Sequence, residues 1–211
     1  MRYKYNPPYL IKKFFAEYQW ETVNNEILLT FDDGPTSEIT NIILNNLEGY
    51  KIKALFFCVG DNIKKYPSLT EKILAAGHTI GNHTFHHKIL SKLNNTEVEA
   101  EIDSFNEHLQ KEYNYSVRYF RPPHGRFTLS LSKKMNKKNL SNVMWSLLTY
   151  DYKNDLNLVK FAVENHLKSN SIVVLHDSLK SKNIIEDSIN FIVDKAHELH
   201  LEIGEPSGCL K

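Results

Sequence analysis

The stretch that decides the fold is "ILLTFDDGPTSE", residues 27–38. An apolar run ends in two adjacent carboxylates, Asp32 and Asp33, and Gly34 and Pro35 follow at once. Repulsion and desolvation both disfavour like charges where a buried strand stops, unless something cationic offsets them. Neighbouring strand residues point to opposite faces, so both aspartates enter one site only if the chain turns there. Gly34 is expected to supply the unusual φ and Pro35 to stop the strand. A turn cap, common for Asp before Gly, explains one aspartate and not both.

Outward from this strand, short apolar runs recur at 52–59, 78–81, 117–121, 142–147 and 171–175. Helical patterns lie between most of them, at 37–50, 62–77, 95–113 and 156–169. In the third, Val98, Ile102, Phe105 and Leu109 recur at three- and four-residue steps, one face of a helix. A last helix at about 184–200 precedes a short strand candidate, "LEIGE", at 201–205. Repeated strand–helix alternation implies an α/β fold on a parallel sheet of six or seven strands. The chain length and the lack of a G-x-G-x-x-G loop favour a closed or nearly closed barrel over an open dinucleotide-binding sheet.

In such barrels chemistry gathers at the C-terminal ends of the strands. The polar clusters here fall at those ends: Asp32 and Asp33, "GNHTFHH", "RPPHG", "TYDY" and "LHD". His83 and His87 are four residues apart, a spacing that puts both rings on one face if they share a helical turn. With a carboxylate from another strand end, two histidines form a catalytic rather than a structural metal site, because positions remain open. His86, three residues from His83, is the alternative ligand. One aspartate can then ligate the metal while its neighbour acts as base toward an attacking water. Arg121 can hold a carboxylate ionised and oriented. His176 emerges at the rim of an apolar strand, where Asp151 can raise its pKa and prepare a general acid. His78, at a strand start, reads as structural, and Trp20 and Trp145 read as core.

The bulk numbers exclude other classes. The chain has 211 residues, 41% apolar and 24% charged, with ten histidines and net charge +1. Nothing points to nucleic acid or to an acidic membrane surface. Cys58 lies in "ALFFCVG", far from Cys209, and reads as a small core residue with no disulfide expected. No apolar stretch approaches the roughly 18 residues of a membrane span. The N-terminus has neither an apolar h-region nor a small-residue cleavage site. The expectation is a cytoplasmic protein as the chain is written, secreted or envelope-associated only if a leader was removed. Residues 1–25 are expected to form an N-terminal extension packed on the barrel, and 26–211 a single domain. The oligomeric state is not legible.

These clusters, in this order, resemble the polysaccharide deacetylases of the NodB homology domain, carbohydrate esterase family 4. "TFDDGP" (30–35) is similar to their first motif, "HTFHH" (83–87) fits H-[ST]-x-x-H, and "RPPHG" (121–125) resembles R-P-P-[YF]-G. "TYDY" and "VLHD" resemble the fourth and fifth motifs, and the likeness spans about residues 26–178. It implies a distorted (β/α) barrel of fewer than eight strands. It implies one divalent metal ion, zinc or alternatively cobalt, on Asp33, His83 and His87. Asp32 would be the base, held by Arg121, and His176 the acid, supported by Asp151. The His124 backbone N–H would bind the oxyanion, and Val174 and Tyr152 would border the acetyl pocket. The implied reaction is removal of N-acetyl groups from carbohydrate bearing N-acetylglucosamine, as in peptidoglycan, a chitin oligomer or a precursor. Hydrolysis of another C–N bond, in a small cyclic or linear amide or a formamido sugar, is the alternative, and a non-catalytic sugar-binding module the third reading. Three positions depart from the family pattern: His124 replaces an aromatic residue, Val174 a leucine, and Leu148 an aspartate.

Overall fold

Every residue of strand β1, Leu28–Asp32, is buried, and the rest of the molecule is arranged around it. The computed structural model describes residues 4–127 and 129–211. β1 pairs in parallel with β2 (Leu55–Cys58) on one side and β7 (Ile172–His176) on the other. β3 (Thr79–Asn82), β4 (Tyr119–Phe120) and β5 (Ser141–Asn142) continue outward from β2, and β6 (Leu147–Leu148) lies beyond β7. The seven-stranded order is β5-β4-β3-β2-β1-β7-β6, and every pairing is parallel.

The sheet must curl. Its two outermost strands, β5 and β6, are joined by residues 143–146 alone. A flat sheet would separate them by six strand spacings, roughly 29 Å. Five Cα steps reach roughly 18 Å at full extension. The edges are therefore drawn together into an incompletely closed barrel, the nearly closed form that the chain length favoured.

Side-chain alternation sorts β1 between two cores. Leu28 faces the barrel interior with Leu55, Phe57 and Ile172. Leu29 and Phe31 face the outer layer with Ile43 and Leu47 of α2 (Ile39–Tyr50), Val159 of α7 (Leu156–His166) and Ile189 of α8 (Ile185–Glu198). Thr30 and Asp32 share the inward parity of Leu28, so the interior turns polar toward the strand's C-terminal end. α5 (Asn95–Tyr113) starts with a capping box, Asn94 with Glu97, and buries Val98, Ile102, Phe105 and Leu109 as its periodicity predicted.

Several expectations are corrected. The run 142–147 is not one strand but the inner ends of β5 and β6, on opposite edges of the sheet. The helix expected over 62–77 is two, α3 (Gly60–Lys65) and α4 (Pro67–Ala75), because Pro67 pushes Tyr66 out of helical geometry, to φ −127° and ψ 61°. "LEIGE" forms only one bridge, Ile203 to Ile27. In the N-terminal stretch, Tyr18 and Trp20 pack with Met144. Gln19 bridges the 142–144 backbone, its N–H donating to Asn142 O and its carbonyl accepting from Met144 N, each at 2.8 Å. Cys58 and Cys209 are buried free thiols.

Candidate active site and metal centre

Asp32 ends β1 facing inward, and the buried Arg121, just after β4, meets it. Arg121 Nη1 donates to Asp32 Oδ1 at 2.7 Å and to Thr30 Oγ1 at 2.8 Å. Its Nε and Nη2 donate to the carbonyls of Val143 and Met144. The guanidinium carbon stands 4.1 Å from the centre of the Phe57 ring. Burial pulls the Arg121 pKa below its usual value and the Asp32 charge pulls it back, so a fixed cation offsets the carboxylate pair. Leu148 stands where the motif would have an aspartate, and these four hydrogen bonds hold the guanidinium without one.

Asp33 should point outward by strand alternation. It adopts φ 78° instead, which swings it to the same side as Asp32. The turn is held by Asp33 N donating to Phe57 O and by Asn62 Nδ2 donating to Asp33 O at 2.7 Å. The expected source of the positive φ was Gly34, and that is corrected: Asp33 itself takes the left-handed conformation, which Asp tolerates. Gly34 is needed for space, since a Cβ there would run into the Asp177 carboxylate. Asp177 in turn accepts from the hydroxyls of Thr36 and Thr40, and burial raises its pKa to about 7.

His83 and His87 do not share a helical turn. Residues 83–87 form an irregular loop with φ 70° at Thr84 and 54° at His87. That loop carries the rings to within 5.0 Å of each other, centre to centre. Ligand atoms of Asp33, His83 and His87 all lie within 4.8 Å of one another. His83 Nδ1 donates to Arg121 O at 2.7 Å, which leaves Nε2 as a lone pair facing Asp33 Oδ1 at 3.7 Å. His87 Nε2 is 3.2 Å from the same oxygen, buried, yet not aligned for a hydrogen bond. An unsatisfied buried nitrogen, a tautomer fixed toward the gap and a carboxylate suit a divalent cation such as zinc or cobalt, with coordination positions left open. Burial lowers the His83 pKa to about 4, so the ring is neutral. Asp33 is partly desolvated, which raises its pKa, but the His87, His176 and His83 rings together hold it well below the usual carboxylate range. His86 turns away to pair with Asp61 and is not in the cluster.

Opposite this cluster, His176 Nδ1 donates to Asp151 Oδ1 and His176 N to Oδ2, both at 2.7 Å. Burial works against the charged ring, but the Asp151 carboxylate outweighs it and raises His176 to about 9. A cavity of about 270 Å³ joins the two halves. Val174 and Leu148, neighbours across β7 and β6, make its apolar wall with Trp145. Tyr152 also lines it and stands edge-on to His176, ring centres 4.8 Å apart. His124, at φ 58°, brings its ring to 4.6 Å from that of His87, and burial lowers its pKa. Gly125 is required beneath Trp145, which a Cβ would strike. Trp145 is half-buried: it packs against the interior core, as expected, and also lines the cavity, whereas Trp20 is buried as expected.

Thr30, Lys180 and Glu101 escaped the sequence reading. Thr30 carried a signal, a polar residue in an apolar run on the same face as Asp32. Lys180, on the turn after β7, lines the cavity, with no signal beyond proximity to "LHD". Glu101 holds the 85–88 backbone and side chains.

The sequence profile of the polysaccharide deacetylase family matches residues 20–143. A peptidoglycan-N-acetylglucosamine deacetylase of Bacillus cereus is 36% identical over 143 residues, 68% of this chain and 52% of its own length. The present chain thus spans about half of that relative. The peptidoglycan-N-acetylmuramic acid deacetylase PdaA of Bacillus subtilis is 32% identical over 186 residues, 85% of this chain and 71% of its own. A crystal structure of a peptidoglycan N-acetylglucosamine deacetylase superposes with TM-score 0.87 at 27% identity, covering 97% of both chains.

Proposed function

The chain belongs to the polysaccharide deacetylase family, and from that premise we propose that it is a metal-dependent hydrolase removing acetyl groups from N-acetylated amino sugars in peptidoglycan or chitin-like oligomers. The observation that carries the reading is that the Asp33, His83 and His87 side chains, a guanidinium-held carboxylate and a carboxylate-supported imidazole surround one cavity. Asp33, His83 and His87 would hold the ion. When bound, zinc or cobalt would supply Lewis-acid polarisation of the acetamide carbonyl.

The chain's own groups divide the proton work. Asp32, fixed by Arg121 through Oδ1, has Oδ2 free to take a proton from the attacking water. The N–H of His124 is offered to the carbonyl oxygen as it gains charge. Val174, Leu148 and Trp145 receive the acetyl methyl and exclude solvent from it. His176, protonated at neutral pH, gives a proton to the departing amine nitrogen as the C–N bond breaks. Acetate and a free amine leave.

Acetate release from N-acetylglucosamine oligomers and from peptidoglycan fragments tests the reading, with zinc content measured in the same preparations. Asp32→Asn should keep its metal and lose roughly 10²–10⁴ in turnover, the usual worth of a general base. Asp33→Asn should lose metal, partly restored by excess zinc, because a charged ligand becomes neutral. Hydrolysis of a small amide or formamido sugar, with none of the oligomers, would replace the substrate assignment. Inactivity on all of them would favour a sugar-binding module.

A further inference from the structure

The two histidines of the cluster ride on a loop that cannot hold itself. Residues 83–87 make no helical or strand ladder, and two of them have positive φ. Thr84 is β-branched and buried, and a β-branched residue at φ 70° is a conformational outlier. Such geometry persists only where the surroundings over-determine it. Here they do so from two sides. At the start of α3, Gly60 N and Asp61 N donate to the carbonyls of Thr84 and Phe85. From α5 comes Glu101, a carboxylate only 4% exposed. Its main-chain O accepts from Phe85 N at 3.0 Å. Its Oε2 accepts from His86 N at 2.8 Å. Its Oε1 pairs with Lys88 Nζ at 2.9 Å.

A buried charge on a helix stripe of Val98, Ile102, Phe105 and Leu109 is costly unless its bonds are needed. All of those bonds go to residues 85–88, which flank His87 on both sides. We propose that Glu101 is a positioning residue for the metal: without touching a ligand atom, it holds the 85–88 backbone so that His87 meets His83 and Asp33. The inference rests on the Asp33/His83/His87 reading of the metal centre. A carboxylate that merely stabilised α5 would raise the folding stability and leave the affinity of the folded protein for metal unchanged. A positioning carboxylate sets that affinity.

The full-length chain is prepared as wild type, Glu101→Gln, Glu101→Ala and, as a control on the exposed side of α5, Glu107→Gln. Zinc dissociation constants are measured by chelator competition well below each unfolding midpoint, and cobalt absorption reports the ligand set. Glu101→Gln keeps an acceptor for His86 N but loses the charge that holds Lys88, so zinc should bind about 10-fold more weakly, and Glu101→Ala more weakly still, within the 10–100-fold range of outer-shell partners. Glu107→Gln should match wild type. If Glu101→Ala does not fold, Glu101→Gln decides alone. A loss of less than about three-fold in Glu101→Gln overturns the inference. Wild-type protein that takes up neither zinc nor cobalt removes the metal centre itself, and the inference with it.

Discussion

At Asp33 one dihedral decides the chemistry. A φ of 78° turns an outward position into the cavity, and the Arg121 guanidinium makes the resulting pair of carboxylates tolerable. The second carboxylate–cation pair, Asp151 with His176, sets a testable pH dependence. His176 is raised to about 9 although burial opposes its charge. The protonated ring therefore persists below about 9 and is lost above it. In Asp151→Asn burial is opposed only by the more weakly acting Asp33 and Asp32 carboxylates, so the pKa falls and the alkaline limb of kcat moves to lower pH. Activity relative to wild type should drop more at pH 8 than at pH 6; a parallel drop at both would remove His176 from the role of acid. Most of these residues were legible because their types are out of place, charged or imidazole groups where apolar strands stop. The source of the turn was not. The positive φ at Asp33 is held by bonds from its N to Phe57 O and from Asn62 to its carbonyl, and Gly34 is fixed by Asp177 filling the space a side chain would need, all contacts between segments far apart in sequence.

At the scale of elements, regular helices were readable and irregular connectors were not. α5 announced itself through its apolar stripe and its Asn94–Glu97 box. Asn94→Ala removes one half of that box and should lower unfolding free energy by about 1 kcal/mol. Urea titration checks this, and zinc affinity should stay at the wild-type value; a variant with normal stability but weakened zinc binding would contradict it. Glu101 left a trace in the same helix, a charge three residues after Val98 and four before Phe105, inside the apolar stripe. The 83–87 loop and the split of 142–147 into two edges left none, because both follow from tertiary bonds. Spacing of four residues brought His83 and His87 together only through α3 and α5, not through helical periodicity.

Over the whole molecule, the histidines make stability depend on pH from both sides. Burial holds His78 and His83 near 4, against an ordinary value of 6.5. Each contributes stability present above 6.5 and lost as pH falls toward 4. His176, raised to about 9, contributes stability fully present below 6.5 and lost as pH rises through 9. Metal-free protein should therefore show its highest urea midpoint near pH 6.5, falling in both directions; a midpoint constant from pH 4 to pH 9 would refute the balance. The parallel sheet and the common end of its polar clusters were legible because strand–helix alternation has few topological solutions. How nearly the barrel closes was not, since that depends on where the last two strands attach.

The link 143–146 sets more than topology. Its carbonyls grip Arg121, its Trp145 lines the cavity, and its span fixes how close the sheet's free edges come. It is a ruler for the bore of the barrel. An engineer seeking room for a bulkier sugar would find that trimming wall side chains enlarges the space locally. Adding a residue to this link would widen the circumference itself, and would loosen the arginine in the same stroke.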